Sequence, residues 1–224
     1  MTTLRIGIVD TGVNPWHSHV RGAVSGCRIR LDRDGAIAED DDWSDPIGHG
    51  TAVAGVLRAA LPEAALFAVR VFDGADATYP SLVARGILRA AAARCAFVNL
   101  SLGLPPGPGD SVLAAACVAA MESGCVLVAS ALPDRESWLP AAVPGVFGVS
   151  ADDSLGSGEI RVLGPRRLAA PGRPRDLAAL ERAANFAGPS FACAHGLVHL
   201  VREARAAAPR PRTRRSAGAV SRSS

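Results

Sequence analysis

Residues 66–100, LFAVRVFDGADATYPSLVARGILRAAAARCAFVNL, read as one strand–helix–strand unit. Leu66 to Val71 is a short run of branched and aromatic side chains, the composition of a strand. Tyr79 to Ala93 is Ala-rich with apolar residues at helical spacing, and Ala96 to Leu100 is again a strand. A helix joining two strands lays them parallel. The same alternation continues outward, with strands over Leu4 to Val9, Cys125 to Ser130 and Val146 to Ser150. Helices fill His49 to Ala60, Ser111 to Ser123, and a segment from near Ser190 to around Ala207, with Pro62 and Gly124 as stop signals. The strands at 4–9, 125–130 and 146–150 are apolar runs rather than alternations, which marks them as buried on both faces. The expected fold is α/β: three layers, a mostly parallel sheet flanked by helices.

At 224 residues the chain fits one domain with a tail. We place the domain at 1–204 and an Ala/Pro/Arg/Ser-rich disordered tail at 205–224. All basic residues are Arg, and seven of them fall in residues 201–224 against one Glu, so that segment carries +6 and the remainder −3. The tail holds no aromatic residue for base stacking, so no nucleic-acid partner is expected. Five cysteines without a CxxC pair argue against zinc and against a disulfide framework. The apolar run in Met1 to Asp10 is too short for a secretory signal, and no run reaches the roughly 20 residues that span a bilayer. A cytoplasmic protein with reduced thiols, no membrane contact, no metal and no cofactor is expected.

Three small-residue turns carry the chemistry: Asp10-Thr11-Gly12, Gly48-His49-Gly50-Thr51 and Gly188-Pro189-Ser190-Phe191-Ala192. A serine hydroxyl becomes a competent nucleophile when an imidazole takes its proton and a carboxylate orients that imidazole. Asp10 would end a strand at the carboxyl edge of the sheet, while His49 and Ser190 would each begin a helix, where free N–H groups face a developing oxyanion. Glycines at 48, 50 and 188 would let backbone approach backbone there. Each fragment has a plainer reading: Asp-Thr-Gly is a common turn and also the aspartic peptidase signature, and a histidine at a helix start is often a cap. Aspartic catalysis needs two such carboxylates, and the chain has one copy. The order Asp, His, Ser differs from that of chymotrypsin-like enzymes and of α/β-hydrolases.

These residues, with Ile6 to Val13, Asp45 to Gly55, Ala68 to Asp73, Val98 to Gly103, Pro140 to Val149 and Gly188 to His195, resemble the subtilisin-like serine peptidases, or subtilases. The resemblance implies a subtilisin-like fold and a serine endopeptidase in which Ser190 attacks a peptide carbonyl, His49 takes its proton and Asp10 orients His49. It also implies that Ser101, Leu102 and Gly103 pair with an extended peptide or protein substrate by strand addition, and that Ala129, Ser130 and Ala131 line the first specificity pocket. Maturation of a dedicated peptide is a role consistent with this.

The sequence departs from the family at the oxyanion asparagine, replaced by Leu132, which leaves the Ser190 backbone N–H as the expected donor. Ser130 is a second hydroxyl nearby, and Ala131 in place of glycine narrows the pocket toward small side chains. Pro189 suits a first helical turn, and Cys193 reads as packing. Only nine residues precede Asp10, so no pro-segment is expected. Glu39-Asp40-Asp41-Asp42 reads as a solvated loop, and His17 and His19 as surface or packing residues. The alternative to a peptidase is a weak or inactive pseudo-peptidase that binds extended peptides.

Overall fold

The computed structural model describes residues 3–72, 78–178 and 180–208. Strands β1 (Arg5–Asp10), β2 (Val24–Leu31), β3 (Ile37–Asp40), β4 (Ala65–Arg70), β5 (Phe97–Leu100), β6 (Val126–Ser130), β7 (Phe147–Ala151), β8 (Arg161–Gly164) and β9 (Arg167–Ala170) form one sheet in the order β3-β2-β4-β1-β5-β6-β7-β9-β8. Pairing is parallel except at the two edges, where β3 and β8 run antiparallel to β2 and β9. Four helices, α1 (His49–Ala60), α2 (Pro80–Ala92), α3 (Asp110–Glu122) and α4 (Pro189–Ala207), complete the layers. The five strands and four helices expected from sequence are present, each within a residue or so of its expected bounds. β2, β3, β8 and β9 were not foreseen. α4 takes in the first three residues of the segment read as a tail; residues 209–224 of that segment, and Asp73 of the family-like strand, lie outside the described residues.

Strand alternation sorts the side chains into two cores. Ile6 and Ile8 of β1, with Leu66 and Ala68 of β4, face α1 and α4, where Val53, Leu57, Leu197 and Val201 are buried. Val9, Val69, Val71, Val98 and Leu100 point the other way, onto Leu82, Val83 and Ile87 of α2 and Leu113 of α3. Each such side chain contributes about 1.5–3 kcal/mol when fully buried. The end of α1 is tied down by Arg58, which is buried and donates to the carbonyls of Val20, Ala23, Pro62 and Ala64.

The acidic stretch 39–42 is not a solvated loop. Asp40 takes Arg28 and Arg30 from β2, Glu39 takes Arg89 from α2, and Asp42 takes Arg28 and Arg70. The Arg28 guanidinium holds the Asp40 carboxyl far below the usual carboxylate range. These pairs fasten the edge of the sheet, although their partial exposure keeps the contribution of each modest.

α4 carries a pH-sensitive packing residue. His195 donates from Nε2 to the carbonyl of Arg173 at 2.9 Å, and burial lowers its pKa below 6.5. A depressed histidine pKa means that the unfolded chain takes up a proton which the fold refuses as pH drops below 6.5. The contribution is intact above that pH and lost below it. Melting temperatures measured between pH 8 and 5 are expected to fall more steeply for the native chain than for His195→Gln; parallel curves would show that His195 titrates alike in both states.

Candidate active site

β1 lies at the point where the chain order reverses, with β4 on one side and β5 on the other. Its last residue, Asp10, therefore opens into the crevice at the carboxyl end of the sheet, the place where α/β folds put their sites. Asp10 is 1% exposed. Its Oδ1 accepts two hydrogen bonds of 2.7 Å, from the backbone N–H of Thr11 and from Nδ1 of His49. Because the acceptor is a carboxylate, Nδ1 of His49 bears the proton in the neutral ring and Nε2 carries the lone pair.

His49 is held by a network around Asp45. One carboxylate oxygen of Asp45 accepts from Thr11 Oγ1 (2.8 Å) and from the N–H groups of Ile47 and Gly48; the other accepts from the N–H and hydroxyl of Thr51. Thr11 Oγ1 in turn accepts from the N–H of Gly50 at 2.9 Å. Asp45 thus satisfies free N–H groups at the start of α1 and clamps the first helical turn to the loop after β1. The sequence showed the aspartate four residues before the histidine, but nothing in it disclosed this capping role. The glycines have separate reasons: Gly48 sits at φ 92° and Gly188 at φ 129°, whereas only Gly50 reflects close approach, since a Cβ there would lie 2.1 Å from the carbonyl oxygen of Gly12.

Ser190 stands in the first turn of α4, behind Gly188 and Pro189. The N–H of Ser190 has no intrahelical acceptor at this position. Its hydroxyl donates to the carbonyl of Ser101 (3.1 Å), the hydroxyl of Ser101 donates to the carbonyl of Ser190 (2.8 Å), and Asn99 Nδ2 donates to Ser101 Oγ (2.6 Å). Two rings pack against the imidazole of His49: Phe191, the residue after Ser190, at 5.3 Å and Phe186 at 5.8 Å. Phe186 was not anticipated from sequence. In this structure the Ser190 hydroxyl rests on the carbonyl of Ser101 rather than on His49.

Two cavities meet along Leu102 and Gly103. One, of about 530 Å³, is lined by Ser190, Ser130, Ala131, Leu132, Gly148 and Arg167 among others. Its neighbour, of about 560 Å³, is lined by Asp10, His49, Ser101, Leu104, Trp138 and Phe186 among others. β5 ends at Leu100, as expected from sequence, and 101–103 continues beyond the edge of the sheet. Among the described residues the backbone groups of Leu102 and Gly103 make no hydrogen bond to other backbone, which leaves them open to an incoming strand. Ala129 does not line either cavity: alternation along β6 turns it into the core beside α3, where it is fully buried.

Leu132 and Ser130 share the cavity with Ser190. The Leu132 side chain has no hydrogen to donate. Ser130 Oγ is buried in the wall of this cavity, beside the Cys193 thiol. Cys193 is sealed beneath the site, donates to the carbonyl of Val128 at 3.2 Å, and its pKa is pushed up by burial to about 12, as befits an inert packing thiol. His17 and His19 line a separate cavity of about 380 Å³ with Asn14 and Asp45. Among the described residues no group of three His, Cys, Asp or Glu is placed to hold a metal, and no helix is long and apolar enough to cross a membrane.

Fold and site together define a three-layer α/β domain with a carboxylate–imidazole pair at the carboxyl edge of a parallel sheet and a serine at the start of its central helix. The chain belongs to the subtilase family, whose profile matches residues 2–196. It is 28% identical over 170 residues to the subtilisin of Bacillus pumilus, a match covering 68% of this chain and 58% of that protein. The chain therefore spans a little over half of that relative's length. Among solved structures it is similar to a cold-adapted subtilisin-like serine proteinase, with a TM-score of 0.66 at 24% identity over 89% of this chain and 76% of that one. It is also similar to the prenylagaramide maturation protease, with a TM-score of 0.63 at 21% identity over 91% and 77%. These two likenesses establish the shared fold.

Proposed function

We propose that the protein is a serine endopeptidase in which Asp10, His49 and Ser190 act as a triad on an extended peptide. The observation that carries this reading is the 2.7 Å bond from His49 Nδ1 to Asp10 Oδ1, which leaves Nε2 as the base on the side of the cleft. Ser190 Oγ, turned from Ser101 to Nε2, gives up its proton as it attacks the carbonyl carbon. The imidazolium formed is stabilised by the buried Asp10 carboxylate, and it returns the proton to the leaving amine. The substrate lies along 101–103 as an added strand. A dedicated peptide substrate is supported by the likeness to the prenylagaramide maturation protease.

Oxyanion stabilisation falls to the Ser190 N–H, because Leu132 offers no donor. In subtilisin, loss of the side-chain donor costs about 10²–10³ in kcat. Leu132→Asn is accordingly expected to raise kcat by up to about that factor, measured on an internally quenched peptide. An unchanged rate would place the dominant oxyanion donor elsewhere. The second reading, a peptide-binding pseudo-peptidase, is favoured by one observation, the Ser190 hydroxyl resting on the carbonyl of Ser101. Incubation with a library of internally quenched peptides separates the two. Internal cleavage that is blocked by a serine-directed sulfonyl fluoride supports the peptidase, and intact peptides retained with measurable affinity support the binder.

A further inference from the structure

We propose that Arg167 makes the cavity beside Ser190 a receptor for an acidic side chain, so that the bond cut is the one following a glutamate or aspartate. This rests on the peptidase reading, since it concerns the residue whose carbonyl Ser190 attacks. A peptide laid along 101–103 with that carbonyl at Ser190 drops the side chain of the same residue between Leu102–Gly103 and Ser130–Leu132, into the 530 Å³ cavity.

Arg167 lies at the start of β9, is itself exposed, and lines this cavity with its guanidinium turned back over the sheet edge toward Ala141. Its guanidinium is fixed by two bonds, Nη2 to the carbonyl of Ala141 (3.1 Å) and Nη1 to the carbonyl of Arg166 (3.2 Å). About three of the five N–H donors of an arginine then remain for a ligand. Room for the head group is made by Gly148, where a Cβ would sit 2.9 Å from Nη1. Among the described residues no carboxylate pairs with Arg167. The other arginine of the cavity, Arg135, is already engaged: its guanidinium stacks 4.3 Å from the Trp138 ring and lies 3.8 Å from Asp134. Glu136, the carboxylate lining the same cavity, is beyond ion-pair distance of Arg167 and faces solvent. A fixed, uncompensated guanidinium selects a carboxylate, because a charge-assisted, forked hydrogen bond is about twice as strong as a neutral one.

The test uses the full chain and peptides that differ only in the residue before the scissile bond: Glu, Gln, Ala or Arg. Hydrolysis is measured with the native enzyme, and binding of the same peptides with Ser190→Ala, by fluorescence anisotropy. Glu is expected to exceed Gln by about tenfold or more in kcat/KM and in affinity. Arg167→Gln is expected to erase that ratio, and Arg167→Glu to shift the preference to Arg. Gly148→Ala, which pushes the guanidinium aside, is expected to weaken it. Cleavage without a Glu preference, or a preference that survives Arg167→Gln, overturns the role of Arg167 and leaves the peptidase reading standing. Glu-selective binding without any cleavage does the reverse. Neither binding nor cleavage of any peptide overturns both.

Discussion

Ser190→Ala is expected to lower kcat by about 10⁶-fold while leaving the melting temperature within a degree or two of the native chain; removal of the nucleophile in subtilisin costs about 2 × 10⁶. The size of the loss follows from chemistry, since no other hydroxyl can take over. Ser101 has its hydroxyl committed between Asn99 and the carbonyl of Ser190, and Ser130 lies buried in the wall of the cavity. Cys193, one turn along α4, points into the core with a pKa near 12 and contributes no thiolate. The structural cost is small because Ser190 Oγ makes one hydrogen bond, to Ser101, and Ser101 keeps its own bond to the Ser190 carbonyl. Steady-state kinetics on a quenched peptide checks the first part and a thermal melt the second. Comparable turnover in the variant would mean that a different group attacks.

Asp10→Ala is the second large effect, about 10⁴-fold or somewhat more in kcat, the scale seen when the matching carboxylate is removed in subtilisin. The loss has two parts, the charge that stabilises the imidazolium and the acceptor that holds Nδ1. The structure allows them to be separated. Asp10 Oδ1 accepts from both Thr11 N–H and His49 Nδ1. An asparagine at position 10 therefore places its carbonyl oxygen there, because its amide group would oppose the Thr11 donor. Asp10→Asn keeps the tautomer, loses only the charge, and is expected to retain more activity than Asp10→Ala. Equal losses in the two variants would show that the amide turns the other way and fixes the wrong tautomer. The partner of Asp10 is an imidazole and not a second carboxylate, so the aspartic peptidase suggested by Asp-Thr-Gly finds no support in the geometry.

Sequence was most informative where burial is complete. β1, β4, β5, β6 and β7 are covered on both faces; apolar runs announced β1, β6 and β7, and the helix between Leu66–Val71 and Ala96–Leu100 announced β4 and β5. β2 has Arg28 and Arg30 alternating with buried Cys27 and Ile29, and its pairing with Asp40 of β3 is ionic, so the pair carries no apolar signature. β8 and β9 form an edge hairpin around Pro165–Arg166, with Val162 and Leu163 exposed, and hydropathy cannot distinguish that from a loop. In the site, the ends of β1, α1 and α4 were legible because turn residues and caps are local signals. The Asp45 network, the rings of Phe186 and Phe191 around His49, and the cavity that Arg167 lines together with residues 130–132 depend on segments distant in the chain. Ala129 was misread for a related reason: its neighbours in sequence line the cleft, but the pleat turns it into the core.

The measurement that bears most directly on the triad is covalent labelling of the folded chain by a fluorophosphonate, with the adduct located by peptide mass spectrometry. A single adduct on Ser190, lost in His49→Ala and slowed in Asp10→Ala, is the predicted result. A folded chain that takes up no reagent, or takes it up on another residue, would contradict the assignment.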